Sequence, residues 1–190
     1  MGKIIISENV SLDGIADDPT GDEGSGHGHW TALISAQDRE KWYQAIHEEA
    51  LAAKALLIGR RSDAWFASRW LPRTGDQADR LNGMPKYVVS STLEEPMWTN
   101  ATILRGRVLT EVAKLKENLP GDIVVYGSIR LARTLLEHDL ADELRLYVYP
   151  VVLGAGERLF TETGGKRPLR LIRTRSIGES LVQLSYEPAG

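Results

Sequence analysis

The sequence predicts an α/β fold: a central, mostly parallel sheet with an antiparallel edge at its C-terminal end, flanked by helices. Three observations carry this. The apolar runs "KIIIS", "ALLIG", "YVVSS" and "IVVYG" lack polar alternation, as strands buried on both faces do. Helical patterns fill the chain between several of them, which suits helices packed on a parallel sheet. The stretches "DELRLYVYPVVLG" and "ESLVQLSYEP" follow one another with no helical pattern between them, so they are expected to pair as an antiparallel edge.

The elements follow in order. Ile4–Ile6 and Val10 form the first strand, and Gly14 breaks it. Residues 17–30, "DDPTGDEGSGHGHW", are polar and glycine-rich and read as a long loop; loops of that length serve as lids in many compact domains. Ser35 then caps a helix, with Asp38 three residues on and Trp42, Ile46 and Ala50 at helical spacing. Ala55–Ile58 is the second strand, followed by a short helix carrying Trp65 and Phe66. "RTGDQADRLNGMP" reads as a surface loop. "KYVVSSTL" and "NATILRG" supply two more strands, and "TEVAKLKENL" a helix stopped by Pro120. "DIVVYG" is a buried strand that runs into the helix "SIRLARTLLEHDL".

Composition narrows the function. A chain of 190 residues suits a single domain, here 1–190, with one sizeable core. Net charge is −3, which disfavours a nucleic-acid surface. Cysteine is absent, which removes disulfides, thiol nucleophiles and thiolate zinc sites and fits a cytoplasmic protein. No run reaches the ~20 apolar residues of a membrane span, and "MGKIIISENV" lacks the pattern of a signal peptide. His27 and His29 lie in a loop with no third ligand in view, so no metal is expected.

Four strand ends carry the polar chemistry. Gly127-Ser128 closes a buried strand where a helix begins, and free N–H groups at a helix start suit phosphate. The same pair also serves as an ordinary turn and cap. "IGRRSDAW" places Arg60, Arg61 and Ser62 after Gly59, with arginine forks suited to phosphate or to ion pairs with Glu48 and Glu49. Ser90, Ser91 and Thr92 cluster at a third strand end. Asp13, in "SLDG", is either an orienting or proton-relaying carboxylate or an Asx-type turn residue. Trp30 and Trp65 flank these loops.

The ordered set "SLDG", "LLIGRRSDAW", "YVVSSTL" and "IVVYGSIRLARTLLEHDLADELRLYVYPVVLGAGERLF" resembles the reductase domain of the bacterial riboflavin-biosynthesis deaminase/reductase, the RibD C-terminal domain family, whose fold is dihydrofolate reductase-like. The resemblance spans Ile4 to Tyr186, and "LADELRLYVYPVVLGAG" followed by "RLF" is its most specific part. It implies NADPH as cofactor. Gly59, Arg60, Arg61 and Ser62 would meet the dinucleotide phosphates, and Ser90, Ser91 and Thr92 the adenosine side. Tyr126, Gly127, Ser128, Ile129 and Leu131 would form the turn under the pyrophosphate. Asn9, Val10 and Ile15 would border the nicotinamide, and Asp13, Trp30 and Tyr147 the substrate. Two arginines favour the extra phosphate of NADP over NAD.

The chain departs from the family in two places. Relatives carry two or three consecutive glycines where this chain has Gly127-Ser128-Ile129. Dihydrofolate reductases carry a carboxylate on the first long helix, where this chain offers Asp38. With no cysteine the chain has no zinc deaminase signature, so a stand-alone reductase-like domain is expected. The implied activity is NADPH-dependent reduction of a small heterocycle-linked substrate, with Asp13 as the catalytic carboxylate. Dihydrofolate reduction and non-catalytic NADP binding or sensing are the alternatives. A homodimer is expected from the exposed edge and the aromatic content.

Overall fold

A computed structural model of the chain describes residues 1–161 and 165–189. The strands are β1 (Lys3–Ser11), β2 (Ala55–Gly59), β3 (Lys86–Val89), β4 (Ala101–Leu104), β5 (Asp122–Tyr126), β6 (Glu143–Tyr149), β7 (Leu169–Ile177) and β8 (Leu181–Pro188). The helices are α1 (Ala36–Ala52), α2 (Arg60–Trp70), α3 (Asp76–Gly83), α4 (Val108–Asn118) and α5 (Ile129–Glu137). The strands form one sheet in the order β4-β3-β2-β5-β1-β6-β8-β7. Pairing is parallel for β4–β3, β3–β2 and β2–β5, and antiparallel for β6–β8 and β8–β7. The expected sheet, mostly parallel with an antiparallel edge, is therefore present.

The chain divides into two compact units: Met1–Ile6 with His47–Asp142, and Ser7–Ile46 with Glu143–Gly190. In the first unit Ile4, Leu56, Leu57, Ile58, Val88, Ile123 and Val125 are fully buried, as unbroken apolar strand runs require. Asp142, in the "LADEL" junction, accepts the Ile4 N–H at 2.8 Å and holds Lys116 Nζ at 2.7 Å. That double contact explains why an aspartate stands where the chain leaves the α5 segment. Lys86 is also buried; its Nζ donates to the Asn82 and Met84 carbonyls and lies 4.5 Å from the Trp98 ring centroid.

In the second unit Trp30, Tyr147, Tyr149, Ile177 and Leu181 form the core, with Trp42 packed against it. Ser35 Oγ accepts the Asp38 N–H at 3.0 Å, so the expected cap forms. The Asp38 carboxylate itself is buried and turned to the β7–β8 turn, where it accepts the Glu179 N–H at 2.7 Å and the Ser180 hydroxyl. These bonds hold its pKa below the ordinary carboxylate value, the Ser180 bond contributing most. The carboxylate on the first long helix thus ties down a turn.

Three elements differ from the sequence reading. Residues expected as loop contain α3, a short helix that buries Ala78 and Leu81 and is fixed by Arg80, whose guanidinium donates to the Ala50 and Ala53 carbonyls. So few apolar positions give no helical periodicity; the arginine clamp is tertiary. β7 is a strand that the sequence reading missed, because arginine alternates with apolar residues and nearly all of it is exposed. The long strand expected to reach Gly154 stops at Tyr149, since Pro150 has no N–H to donate.

Gly178 lies at φ +66, and a Cβ there would stand 1.9 Å from Asp38 Oδ1. Gly178→Ala is expected to cost at least the ~1–2 kcal/mol of a left-handed L-residue. Thermal unfolding should show a midpoint lowered by about 2–8 °C.

Candidate functional site

In the first unit, three of the singled-out strand ends meet. β2 lies between β3 and β5, and all run in the same direction, so their C-terminal ends share one edge. Ser128 connects two of them. Its Oγ accepts the Gly59 N–H at 2.9 Å and donates to Ser62 Oγ at 2.7 Å. Arg60 Nη1 donates to Thr92 Oγ1 at 3.2 Å, which brings in the end of β3.

The turn that allows this is unusual. Gly127 and Ser128 both have positive φ, 58 and 61. Glycine adopts that region freely, whereas serine does so at a cost. Ser128 precedes α5, but its side chain does not cap that helix; Gly59 precedes α2 with no side-chain cap either. The first N–H groups of both helices are therefore left without a capping side chain, the arrangement that receives anionic oxygens. Arg60 and Arg61 are exposed beside them, Ser62 is half-buried, and Ile129 opens α5 half-buried. Tyr126 and Leu131 are buried on either side of the turn and support it.

Ser90 is less available. Its Oγ accepts the N–H groups of Thr92 at 3.3 Å and Leu93 at 3.0 Å, the signature of a serine turn. Ser91 is exposed.

In the second unit, Asp13 sits just beyond β1 and is held by three donors. Ser11 Oγ donates at 2.7 Å, Leu153 N–H at 3.1 Å and Gly154 N–H at 2.8 Å. The Ser11 bond, then the two amides, lower its pKa to about 2 from an ordinary 3.8. At neutral pH it is an ionised acceptor with no proton to give. The Ile15 N–H donates to Ser11 Oγ at 2.9 Å, so one serine organises the whole "SLDGI" turn.

The other residues singled out in this unit are mostly interior. Val10, Ile15, Trp30 and Tyr147 are buried. Trp30 Nε1 donates to the Asp17 carbonyl at 3.0 Å, and its ring meets Tyr149 edge-on at 5.2 Å. The Tyr147 hydroxyl accepts Gln183 Nε2 at 2.8 Å. Asn9 Oδ1 accepts Trp42 Nε1 at 3.0 Å. The loop at 17–30 is folded around Asp18, whose carboxylate accepts the Glu23 and Ser25 N–H groups and the Ser25 hydroxyl.

Glu8 escaped the sequence reading because it sits inside a strand run. It is buried, and its Oε1 has no hydrogen-bond partner among the described residues. Burial pushes its carboxyl pKa well above the usual range, which favours the protonated form. One signal was legible: an acidic residue in a strand otherwise buried on both faces. Among the described residues no group of His, Asp and Glu is placed to hold a metal ion.

The strand-end platform and sheet order define a dihydrofolate reductase-like domain. Within that class the chain belongs to the RibD C-terminal domain family, whose profile matches residues 2–183. It is 34% identical to the uncharacterized protein YyaP of Bacillus subtilis (strain 168) over 138 residues, 69% of this chain and 72% of that protein. A protein of Shewanella sp. PV-4 with a provisional riboflavin-biosynthesis designation covers the full length of both chains, with a TM-score of 0.73 at 20% identity. The deaminase/5-amino-6-(5-phosphoribosylamino)uracil reductase of Thermotoga maritima gives a TM-score of 0.66 at 15% identity, over 99% of this chain and 57% of that one. Dihydrofolate reductase from Enterococcus faecalis, solved with NADP(H), gives 0.64 at 11% identity, over 99% and 97%.

Ser128→Ala leaves the Gly59 N–H without its acceptor while keeping a side chain at positive φ. It is expected to destabilise the protein by about 1–3 kcal/mol, and Ser128→Gly by less, because glycine relieves the backbone cost. Denaturant melts of the two variants test that order. For Asp13, a lowered folded pKa means stability that is present above pH 3.8 and lost as pH falls towards about 2. Asp13→Asn should lower the thermal midpoint at pH 7 and flatten its decline between pH 4 and 2.

Proposed function

We propose that the chain is an NADPH-dependent reductase of the riboflavin-biosynthesis type, acting on a small heterocycle-linked substrate such as a ribosylamino-pyrimidine phosphate. The observation that carries this is the platform in the first unit, where Ser128 Oγ joins Gly59 and Ser62 beside two side-chain-uncapped helix starts. Such a platform suits a pyrophosphate, and Arg60 and Arg61 add cationic forks for a further phosphate. The T. maritima and E. faecalis proteins, a uracil-type reductase and a dihydrofolate reductase solved with NADP(H), support the choice of cofactor. NADPH, when bound, supplies the hydride.

The protein's own residues bind and orient. Gly127 and Ser128 hold the phosphate turn open at positive φ. Asp13, ionised at neutral pH, orients a donor group of the substrate. The reduction also consumes a proton. Glu8, whose carboxyl pKa is raised by burial, is a better source of it than Asp13, whose pKa its donors lower. For the nicotinamide end the reading rests on the family resemblance of Asn9, Val10 and Ile15. The working environment is the cytoplasm, with a small-molecule substrate and neither nucleic acid nor membrane as partner; among the described residues no helix is long and apolar enough to cross a bilayer.

A second reading, a sensor that binds NADPH without turnover, is favoured by Ser128 standing where the family resemblance implies glycine. Titration with NADPH, followed by tryptophan fluorescence and thermal shift, is expected to show saturable stabilisation. Replacing Arg60 and Arg61 together with alanine should raise the Kd for NADPH by roughly 10–100-fold, the worth of one or two charge-assisted contacts, and change that for NADH far less. Absence of NADPH binding overturns both readings. Binding without oxidation in the presence of pyrimidine or pteridine substrates selects the sensor.

A further inference from the structure

The α2 helix starts without a side-chain cap, at Gly59. A helix start is ordinarily fixed by a cap residue that bonds its first N–H groups. Such a cap here would occupy the groups that the phosphate platform leaves open. The start of α2 is held instead from the side. Asp63, in its first turn, is fully buried, and its carboxylate reaches another segment rather than its own helix. Oδ2 accepts the Met97 N–H at 2.7 Å and Oδ1 the Trp98 N–H at 3.2 Å. Trp98 is itself gripped on three sides. Its Nε1 donates to Asn82 Oδ1 at 2.7 Å, its ring stacks on Phe66 of α2 at 5.4 Å, and Lys86 Nζ lies 4.5 Å from the ring centroid. Lys86 opens β3, and the chain just beyond β3 carries Thr92, the acceptor of Arg60. The contacts close a ring: from α2 through Asp63, Trp98 and Lys86, along β3, and back to α2 through Thr92 and Arg60. A buried carboxylate is costly unless it is paired and hydrogen-bonded. Two amides supply the bonds. Lys86 supplies the opposite charge: burial lowers its pKa to about 8, and the Asp63 charge opposes that fall.

We propose that Asp63 is a positioning residue for dinucleotide binding: it anchors the first turn of α2 from the side, so that Ser62 meets Ser128, Arg60 meets Thr92, and the first N–H groups of the helix stay open. The inference rests on the NADPH reading above. An amide in place of the carboxylate accepts from one backbone N–H and turns its own NH2 towards the other, which releases half of the anchor. A displaced first turn misaligns the N–H groups offered to the pyrophosphate, and NADPH and NADH carry that group alike. Asp63 therefore has a different signature from Arg60 and Arg61, whose loss falls on NADPH.

The test is titration of the full chain with NADPH and with NADH, read by tryptophan fluorescence well below the melting midpoint, with circular dichroism as the check on folding. Asp63→Asn should raise both Kd values about tenfold, the worth of one charge-assisted hydrogen bond. Gly178→Ala, which destabilises the β7–β8 turn, should leave both unchanged. If Asp63→Asn does not fold, the double variant Asp63→Asn/Lys86→Met carries the same measurement, since it removes both buried charges and leaves neither unpaired. A wild type that binds NADPH, with Kd values that the Asp63 variant leaves unmoved, overturns the positioning role and spares the NADPH reading. So does an equal rise in Gly178→Ala, which would make lost stability the cause. A wild type that binds neither dinucleotide overturns both.

Discussion

The hydroxyl of Ser128 holds the end of β2 to the end of β5. It accepts from Gly59 and donates to Ser62, so two strand-to-helix turns share one oxygen. The arrangement needs Gly127 and Ser128 in the left-handed region, which leaves the α5 start uncapped and turns the serine side chain sideways. Arg60 then reaches Thr92, and the end of β3 joins the same edge. Everything that makes the first unit a candidate phosphate platform rests on that turn. Ser128 holds a left-handed backbone, the conformation glycine adopts freely, and adds a bonded hydroxyl.

Aspartates organise much of the rest, each by accepting from backbone. Asp142 takes the Ile4 N–H, Asp38 takes the β7–β8 turn, and Asp13 takes Leu153 and Gly154. The donors lower the pKa of Asp13 and Asp38, which suits these two carboxylates to anchoring and orienting rather than proton donation. Glu8 is the contrast, buried without such donors at Oε1, and burial raises its pKa. The two kinds of acid separate by environment alone: donors lower one pKa and burial raises the other.

The C-terminal sheet shows how one strand pattern can serve two faces. Tyr147, Tyr149 and Leu181 fill the core, while Leu146, Leu184 and Val182 lie on the other side of the same strands. A sequence of unbroken apolar strand residues signals burial on both sides. Within the described chain one of those faces is only half covered.

Sequence alone determined the fold class and the family. Apolar runs without alternation can be satisfied only inside a two-sided sheet, and the motifs from "SLDG" to "RLF" occur in a fixed order along nearly the whole chain. It also marked Gly59–Ser62, Thr92 and Gly127-Ser128, where glycine, hydroxyls and arginine gather at several strand ends. Tertiary structure decided what these residues do. Whether Ser128 caps its own helix or bridges to β2, whether Asp38 faces a pocket or a turn, and which acid's pKa rises or falls all depend on partners from distant parts of the chain. α3 and β7 were likewise unreadable, because an arginine clamp and an edge pairing stabilise them rather than any local periodicity. Local sequence sets backbone preference and burial; hydrogen-bond partners and protonation are set by the neighbours that folding brings.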